Sequence, residues 1–207
     1  MPLSSKLKGV YVITDDTLTP DETLFSQVED ALKGGATIVQ LRDKKNDEET
    51  IEKKAIALQE LCHEYNAMFV LNDKVELAIK LQCDGLHIGK SDHARFDEIR
   101  KDFKGCIGVS CYGDVDHAKE FEQKGADYVA FGSFFTSPTK PNSNIVPLEV
   151  ISEAKEKLTI PVCAIGGINK ENVDQVVQKD PEMISLISDI WNSDDITAKT
   201  LIFATKF

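Results

Sequence analysis

The feature that most constrains this chain is an alternation, repeated eight times, of a short apolar run rich in β-branched residues with a longer amphipathic segment. Such runs predict strands, and the segments between them predict helices. The eight predicted strands are residues 9–14, 37–42, 68–71, 85–88, 106–110, 128–131, 161–165 and 183–187. Some of them, such as Cys106-Ile107-Gly108-Val109, are apolar throughout, which is typical of parallel strands covered on both faces.

Eight strand–helix units in 207 residues predict one α/β domain, residues 1–207, folded as a compact (β/α)8 TIM barrel. A doubly wound open sheet is the alternative, but that fold usually has fewer strands and often a G-x-G-x-x-G turn, which this sequence lacks. In a closed barrel the active site lies at the carboxyl ends of the strands, so polar residues at those ends are expected to meet.

Local signals place the first two helices. Thr19-Pro20-Asp21-Glu22 offers a capping hydroxyl, a proline suited to the first helical position and two acids, so the first helix is expected to begin there. Gly34-Gly35 is expected to end it. Asp47-Glu48-Glu49 is expected to open the second helix.

Charge and cysteine content narrow the function classes. A net charge of −11 argues against nucleic acid or an anionic membrane as a partner and leaves small-molecule substrates. No apolar run reaches the roughly 20 residues that cross a bilayer. Residues 1–8 lack the apolar middle and small-residue cleavage site of a secretory signal, so none is expected there. Five cysteines without a C-x-x-C pair favour a reducing cytoplasm over a disulfide framework. Whether the chain forms a homo-oligomer stays open.

Charged and amide side chains follow the second, third and fourth strands. Gln40 and Arg42 alternate onto one face with Lys44 just beyond, so two cations and an amide are expected at the barrel opening. Asp73 and Asp92 end adjacent strands, and a pair of carboxylates beside cations suits Mg²⁺ that also holds substrate phosphate. Each aspartate alone has a plainer interpretation as a helix cap.

The later strands end in small residues. Gly166-Gly167 follows the seventh strand and Ser188 the eighth, where barrels of this kind commonly bind phosphate through backbone N–H groups. Residues 132–146 form one long polar loop, which predicts an active-site lid; a tolerated surface insertion is the alternative.

The four histidines do not indicate a histidine mechanism. His63 and His117 fall in helical segments and are expected at the surface. His87 alternates with Leu86 in a buried strand and is interpreted as a core or rim residue with its hydrogen bonds satisfied. His93 is the one expected near the barrel opening.

Taken in order, the motifs resemble those of the thiamine-phosphate synthase family over almost the whole chain. They are Gln40-Leu41-Arg42-Asp43-Lys44, Asn72-Asp73, Asp84-Gly85-Leu86-His87-Ile88-Gly89-Lys90-Ser91-Asp92, Gly108-Val109-Ser110, Gly125-Ala126-Asp127-Tyr128-Val129, Thr139-Lys140-Pro141 and Ala164-Ile165-Gly166-Gly167-Ile168. The resemblance implies a barrel enzyme that joins hydroxymethylpyrimidine diphosphate to hydroxyethylthiazole phosphate, releasing diphosphate and forming thiamine phosphate.

The resemblance also implies a role for each matching residue. Asp73 and Asp92 would hold Mg²⁺, and Gln40 and Asn72 would address the pyrimidine. The expected catalytic and diphosphate-binding residues are Arg42, Lys44, Ser110 and Lys140. Those expected at the thiazole phosphate are Ser137, Thr139, Gly167, Ile187 and Ser188.

The chain departs from the family pattern near the eighth strand. Asp180-Pro181-Glu182-Met183 replaces a usual Gly-Ala-Asp-Gly, and Asp189 places an acid beside the expected phosphate site. Two rival functions follow from the same fold. One is a thiazole tautomerase, whose members tend to lack the paired aspartates that this chain keeps. The other is a catalytically silent barrel that binds a ligand and regulates a partner.

Overall fold

The computed structural model describes residues 3–137 and 144–207 and shows eight parallel strands closed into a barrel. The strands are β1 Gly9–Ile13, β2 Ala36–Leu41, β3 Met68–Asn72, β4 Gly85–Ile88, β5 Cys106–Tyr112, β6 Tyr128–Phe131, β7 Val162–Ile165 and β8 Met183–Leu186. They pair in sequence order, and β1 pairs with β8 to complete the barrel.

Helices cover the outside of the barrel. They are α1 Leu24–Lys33, α2 Glu48–Glu64, α3 Val75–Leu81, α4 Phe96–Asp102, α5 Val115–Lys124, α6 Glu149–Lys157, α7 Val173–Val177, α8 Ser188–Trp191 and α9 Ile196–Ala204. Short 3₁₀ turns lie at Leu3–Lys6 and His93–Arg95. The predicted (β/α)8 barrel is confirmed, and each predicted strand agrees with the structure to within two residues at either end.

The predicted start of α1 is wrong. The helix begins at Leu24, and the side chain of its capping residue Thr23 makes no capping hydrogen bond. Thr19 instead closes its own turn, because its Oγ1 accepts a hydrogen bond from Asp15 N at 2.9 Å and donates to Asp15 O at 2.9 Å. The local hydroxyl therefore stabilises the preceding turn rather than the helix.

The predicted start of α2 is confirmed, since Asp47 caps it by accepting a hydrogen bond from Thr50 N at 2.8 Å. The end of α1 before Gly34 is also confirmed.

Two apolar layers hold the barrel together. The larger fills the space between strands and helices, and a smaller cluster fills the barrel interior, where side chains such as Tyr11, Ile38, Met68 and Tyr128 point inward from alternate positions. All five cysteines are described, buried and unpaired, which confirms that they form no disulfide framework. Within the described residues, no helix combines the length and apolarity that a membrane crossing requires.

Candidate active site

The carboxyl ends of the strands, here called the mouth, divide into two sides. On one side, formed mainly by the ends of β5 to β8, lies a cavity of about 600 Å³. Five predicted site residues line it: Ser110, Ser137, Gly167, Ile187 and Ser188. These residues line the cavity with small hydroxyl groups, a glycine and one apolar side chain. We call this region the cavity side.

Glycine is required at the end of β7. Gly166 has φ +104° and Gly167 φ +65°, which side-chain-bearing residues rarely adopt. A Cβ on Gly167 would lie 2.4 Å from Thr136 O, so the loop after β6 packs directly against this backbone. Asn172 Nδ2 donates to Gly167 O at 2.9 Å and holds the turn from the other side.

The departures from the family pattern near β8 lie away from the cavity. Glu182 precedes β8, at the opposite end of the barrel, where its side chain accepts a hydrogen bond from Val162 N at 2.9 Å and pairs with Lys155. Asp189 does not line the cavity, and its Oδ1 lies 3.4 Å from Lys199 Nζ. The nearby cation offsets the unfavourable charge expected of Asp189.

The other side of the mouth, formed by the ends of β2, β3 and β4, carries Arg42, Lys44, Asp73 and Asp92 and is here called the charged side. None of these four side chains lines the 600 Å³ cavity. Backbone bonds hold the loop after β2, because Arg42 N donates to Thr14 Oγ1 at 3.0 Å and Lys44 N donates to Asp16 Oδ1 at 3.2 Å.

A buried ion pair, Lys54–Asp43, lies under the loop after β2, with the half-exposed Asp21 as a second partner of Lys54. Lys54 of α2 pairs with Asp21 and, at 2.7 Å, with Asp43 Oδ2, and the Lys54 side chain is only 10% exposed. Burial by itself would raise the pKa of Asp43, but hydrogen bonds from Lys54 and Asn46 outweigh it and lower that pKa to about 2. The loop that carries Arg42 and Lys44 is thus anchored by a charged cluster that no sequence motif indicated.

Asp73 and Asp92 flank the turn after β4. A Cβ on Gly89 would lie 3.8 Å from Asp73 Oδ1, and Gly89 O accepts a hydrogen bond from Asp92 N at 3.0 Å. Asn72 Nδ2 donates to Asp73 Oδ2 at 2.8 Å. Across residues 3–137 and 144–207, no three histidine, cysteine, aspartate or glutamate side chains form a metal-binding group. A cation held here would therefore have these two carboxylates and complete its shell with substrate and water.

The remaining predicted residues differ in placement. Gln40 is 2% exposed inside the barrel, below the mouth, where its Nε2 donates to Tyr11 Oη at 2.6 Å. Thr139 and Lys140 lie outside the described residues, as does part of the 132–146 loop, so the lid stays a prediction.

Lys90 and Ser133 line the cavity although neither was singled out as a site residue; Ser133 belongs to the 132–146 loop that was predicted as a lid. Lys90 follows β4, so the strand-end rule applied to Arg42 points to it as well. The loop prediction could not single out Ser133, because the position of its side chain depends on how the chain turns after β6.

The predictions for His63 and His87 are confirmed, whereas the prediction that His93 alone lies near the barrel opening is wrong, because His87 is the histidine that contacts a cavity residue. His87 is 9% exposed, and both ring nitrogens have partners, Tyr128 Oη at 2.9 Å and Ser110 Oγ at 2.9 Å. His63 is half exposed on α2 and pairs with Asp84. His93 packs against His117 and Phe121 rather than lining the cavity.

Comparison with known proteins agrees with this geometry. The family model described as thiamine monophosphate synthase matches residues 10–190. The thiamine-phosphate synthase of Nitrosococcus oceani is 39% identical over 99% of this chain and 95% of its own length. That of Alcanivorax borkumensis is 40% identical over 96% of this chain and 91% of its own. The solved thiamine phosphate pyrophosphorylase from Pyrococcus furiosus superposes with a TM-score of 0.88 at 34% identity, covering 99% of this chain and 96% of that one.

Proposed function

This chain belongs to the thiamine monophosphate synthase family, and we propose that it joins hydroxymethylpyrimidine diphosphate to hydroxyethylthiazole phosphate, forming thiamine phosphate and diphosphate. The observation that carries the proposal is the two-sided mouth. A reaction between a diphosphate and a monophosphate needs two anion sites, and the structure has a charged side next to a cavity lined by glycine and serine.

The charged side suits the diphosphate and its Mg²⁺. Asp73 and Asp92 supply carboxylate oxygens, which Mg²⁺ prefers, and they flank one turn beside Asn72. When bound, Mg²⁺ neutralises charge on the departing diphosphate. Arg42 and Lys44 are proposed to bind the same anion as the carbon–oxygen bond breaks.

The cavity side suits the thiazole phosphate. Gly167, Ile187, Ser188, Ser110 and Ser137 line the cavity, and the backbone of the first three is proposed to bind the phosphate. The glycines at 166–167 allow backbone N–H groups to approach an anion that a Cβ would exclude. Ser110 lies on β5, nearest the charged side, and is proposed to donate to the leaving diphosphate.

Product formation tests the proposal. Purified protein given both substrates should form thiamine phosphate and diphosphate with Mg²⁺, and chelation should abolish turnover until Mg²⁺ is restored. Full turnover in excess chelator would contradict the metal assignment. Metal-free proton transfer on a thiazole carboxylate phosphate would favour the tautomerase, and ligand binding without either reaction would favour the regulatory barrel.

Lys140, whose role rests on the resemblance alone, is proposed to stabilise the charge that grows on the diphosphate. Lys140→Ala should lower kcat more than it raises either KM, by roughly a hundredfold to a thousandfold, the usual cost of removing one such electrostatic donor. Steady-state kinetics with each substrate varied in turn measures both parameters. Near-normal turnover would overturn this role.

A further inference from the structure

A continuous chain of side-chain hydrogen bonds crosses the barrel interior and ends at the cavity. Gln40 Nε2 lies 2.6 Å from Tyr11 Oη, which lies 2.8 Å from Tyr128 Oη. Tyr128 Oη lies 2.9 Å from His87 Nδ1, and His87 Nε2 lies 2.9 Å from Ser110 Oγ. The five residues come from β2, β1, β6, β4 and β5, so barrel closure alone brings them together.

These polar groups are placed where barrels of this class usually have aliphatic side chains. Gln40, Tyr11 and Tyr128 are at most 2% exposed, and Ile38, Met68 and Met183 of the apolar interior cluster surround them. Gly108 makes room for the network, because a Cβ there would lie 1.9 Å from Tyr128 Cζ. Tyr128 therefore takes the place of an apolar side chain in the barrel interior and requires a residue without a side chain, Gly108, on β5.

The chemistry of the members sets the direction of the network. An amide nitrogen carries only donors, so Gln40 donates to Tyr11. Tyr11 Oη already accepts from Gln40, so its one hydrogen has an acceptor among these contacts only if it donates to Tyr128. Tyr128 Oη then accepts from Tyr11, and its own hydrogen is satisfied by donation to His87 Nδ1. A neutral imidazole that accepts at Nδ1 carries its hydrogen on Nε2, so His87 donates to Ser110 Oγ.

Burial keeps the two phenols neutral. Removal from water raises the pKa of Tyr11 and that of Tyr128 well above the ordinary value. Each tyrosine therefore has one hydrogen to donate throughout the working pH range, as the direction of the network requires.

We propose that this network makes His87 a positioning residue. Because His87 Nε2 donates to Ser110 Oγ, the hydroxyl hydrogen of Ser110 is directed into the cavity. Ser110 then donates a hydrogen bond to an anion bound in the cavity. In the opposite direction Ser110 would donate to His87, and His87 could then act as a base that activates the serine as a nucleophile. The direction of the network argues against that arrangement. That the anion is the leaving diphosphate rests on the proposed function; the direction itself does not.

The tautomer of His87 tests the direction without substrate. In ¹⁵N-labelled protein, NMR distinguishes a protonated from an unprotonated imidazole nitrogen, and we expect the hydrogen of neutral His87 on Nε2. The imidazole signals that disappear in His87→Gln are those of His87. If that variant does not fold, the variants His63→Gln, His93→Gln and His117→Gln identify the His87 signals by elimination. Hydrogen on Nδ1 would overturn the proposal whether or not the protein makes thiamine phosphate.

A double-mutant cycle tests the effect on Ser110. Tyr128→Phe keeps the ring and removes the donor to His87, and it should lower kcat roughly three- to tenfold, the net worth of one hydrogen bond. The KM for the thiazole phosphate should stay within about twofold of its original value. In a Ser110→Ala background the same change should alter kcat less than about twofold, because its target is gone.

Equal losses in the two backgrounds would mean that Tyr128 only packs, and would overturn the positioning role. Tyr65→Phe is the matched control, since Tyr65 also donates through its hydroxyl, to Glu29 at 2.8 Å, but does so on the outer surface. It should leave kcat unchanged. If no variant or parent protein forms thiamine phosphate, the proposed function fails, and the His87 tautomer still decides the direction of the network.

Discussion

The two sides of the mouth are built in different ways. The charged side uses long or ionised side chains, and its loop after β2 is anchored by the buried Lys54–Asp43 pair. The cavity side uses backbone and small residues, and its shape depends on close packing at Gly167. Charged groups reach an anion from a distance but need partners to hold them, whereas backbone N–H groups need room to approach.

The difference predicts two kinds of sensitivity. Substitutions under the charged side should act first on stability, because they leave a buried charge unpaired. Substitutions on the cavity side should act first on binding of the thiazole phosphate, because they change the space and not the charge. Four changes test this contrast, from the largest expected effect to the smallest.

Lys54→Met should have the largest effect. It leaves Asp43 buried without its cation, and breaking one partner of a buried pair typically costs about 3–5 kcal/mol in the free energy of unfolding. Denaturant unfolding monitored by circular dichroism measures it. Lys53→Met is the matched control: its pair with Glu49 is 72% and 79% exposed, so the loss should stay within about 0.5 kcal/mol. Equal losses in the two variants would contradict the anchoring role.

Gly167→Ala should weaken the cavity side. The new Cβ would meet Thr136 O and Phe135 O in a left-handed backbone conformation, so strain of about 1–3 kcal/mol must be relieved by moving the loop. We expect kcat/KM for the thiazole phosphate to fall roughly tenfold to a hundredfold. Gly125→Ala is the control, because Gly125 is also left-handed but a Cβ there has only an ordinary contact, 3.5 Å from Arg100 Cδ. An unchanged KM for the thiazole phosphate in Gly167→Ala would contradict the expectation that cavity-side substitutions act first on binding of this substrate.

Acid should weaken the charged side. The pKa of Asp43 is about 2 in the folded protein, below the ordinary aspartate value of 3.8, so the folded state favours the ionised form. The stabilisation is complete above pH 3.8 and is lost as pH falls through about 2, a contribution of about 2 kcal/mol to the free energy of unfolding. Unfolding curves of Asp43→Asn should therefore depend less on pH between about 4 and 2. Parallel pH dependence in variant and parent would rule out this contribution.

Ser188→Ala should have the smallest effect. If backbone N–H groups bind the thiazole phosphate, the lost hydroxyl costs at most one hydrogen bond, and kcat/KM should fall less than about tenfold. Steady-state kinetics with the thiazole phosphate varied measures the change. A loss larger than that of Gly167→Ala would mean that side chains and not backbone hold the anion.

Much of this architecture follows from local sequence. The β-branched runs become strands because they fit a pleated surface that helices cover on one face, and eight of them in sequence order close a barrel. The position of Gly167 and Ser188 at strand ends follows from the fold, so their place in the cavity could be predicted, whereas Ser110 was expected at the site only through the family resemblance. The prediction was wrong at Thr19, because its hydroxyl hydrogen-bonds to the Asp15 backbone instead of capping α1.

Tertiary structure alone decided which distant residues meet. Tyr11 and Tyr128 are 117 positions apart, and their hydroxyls touch because barrel closure turns β1 and β6 toward one interior. The Lys54–Asp43 pair likewise depends on how α2 packs over the loop after β2. The sequence by itself determined the elements, their order and the polar ends of the strands, since these depend on neighbours along the chain. The direction of the Gln40–Ser110 network and the anchoring of the charged side depend on strand register and helix packing, which are long-range properties that no local pattern encodes.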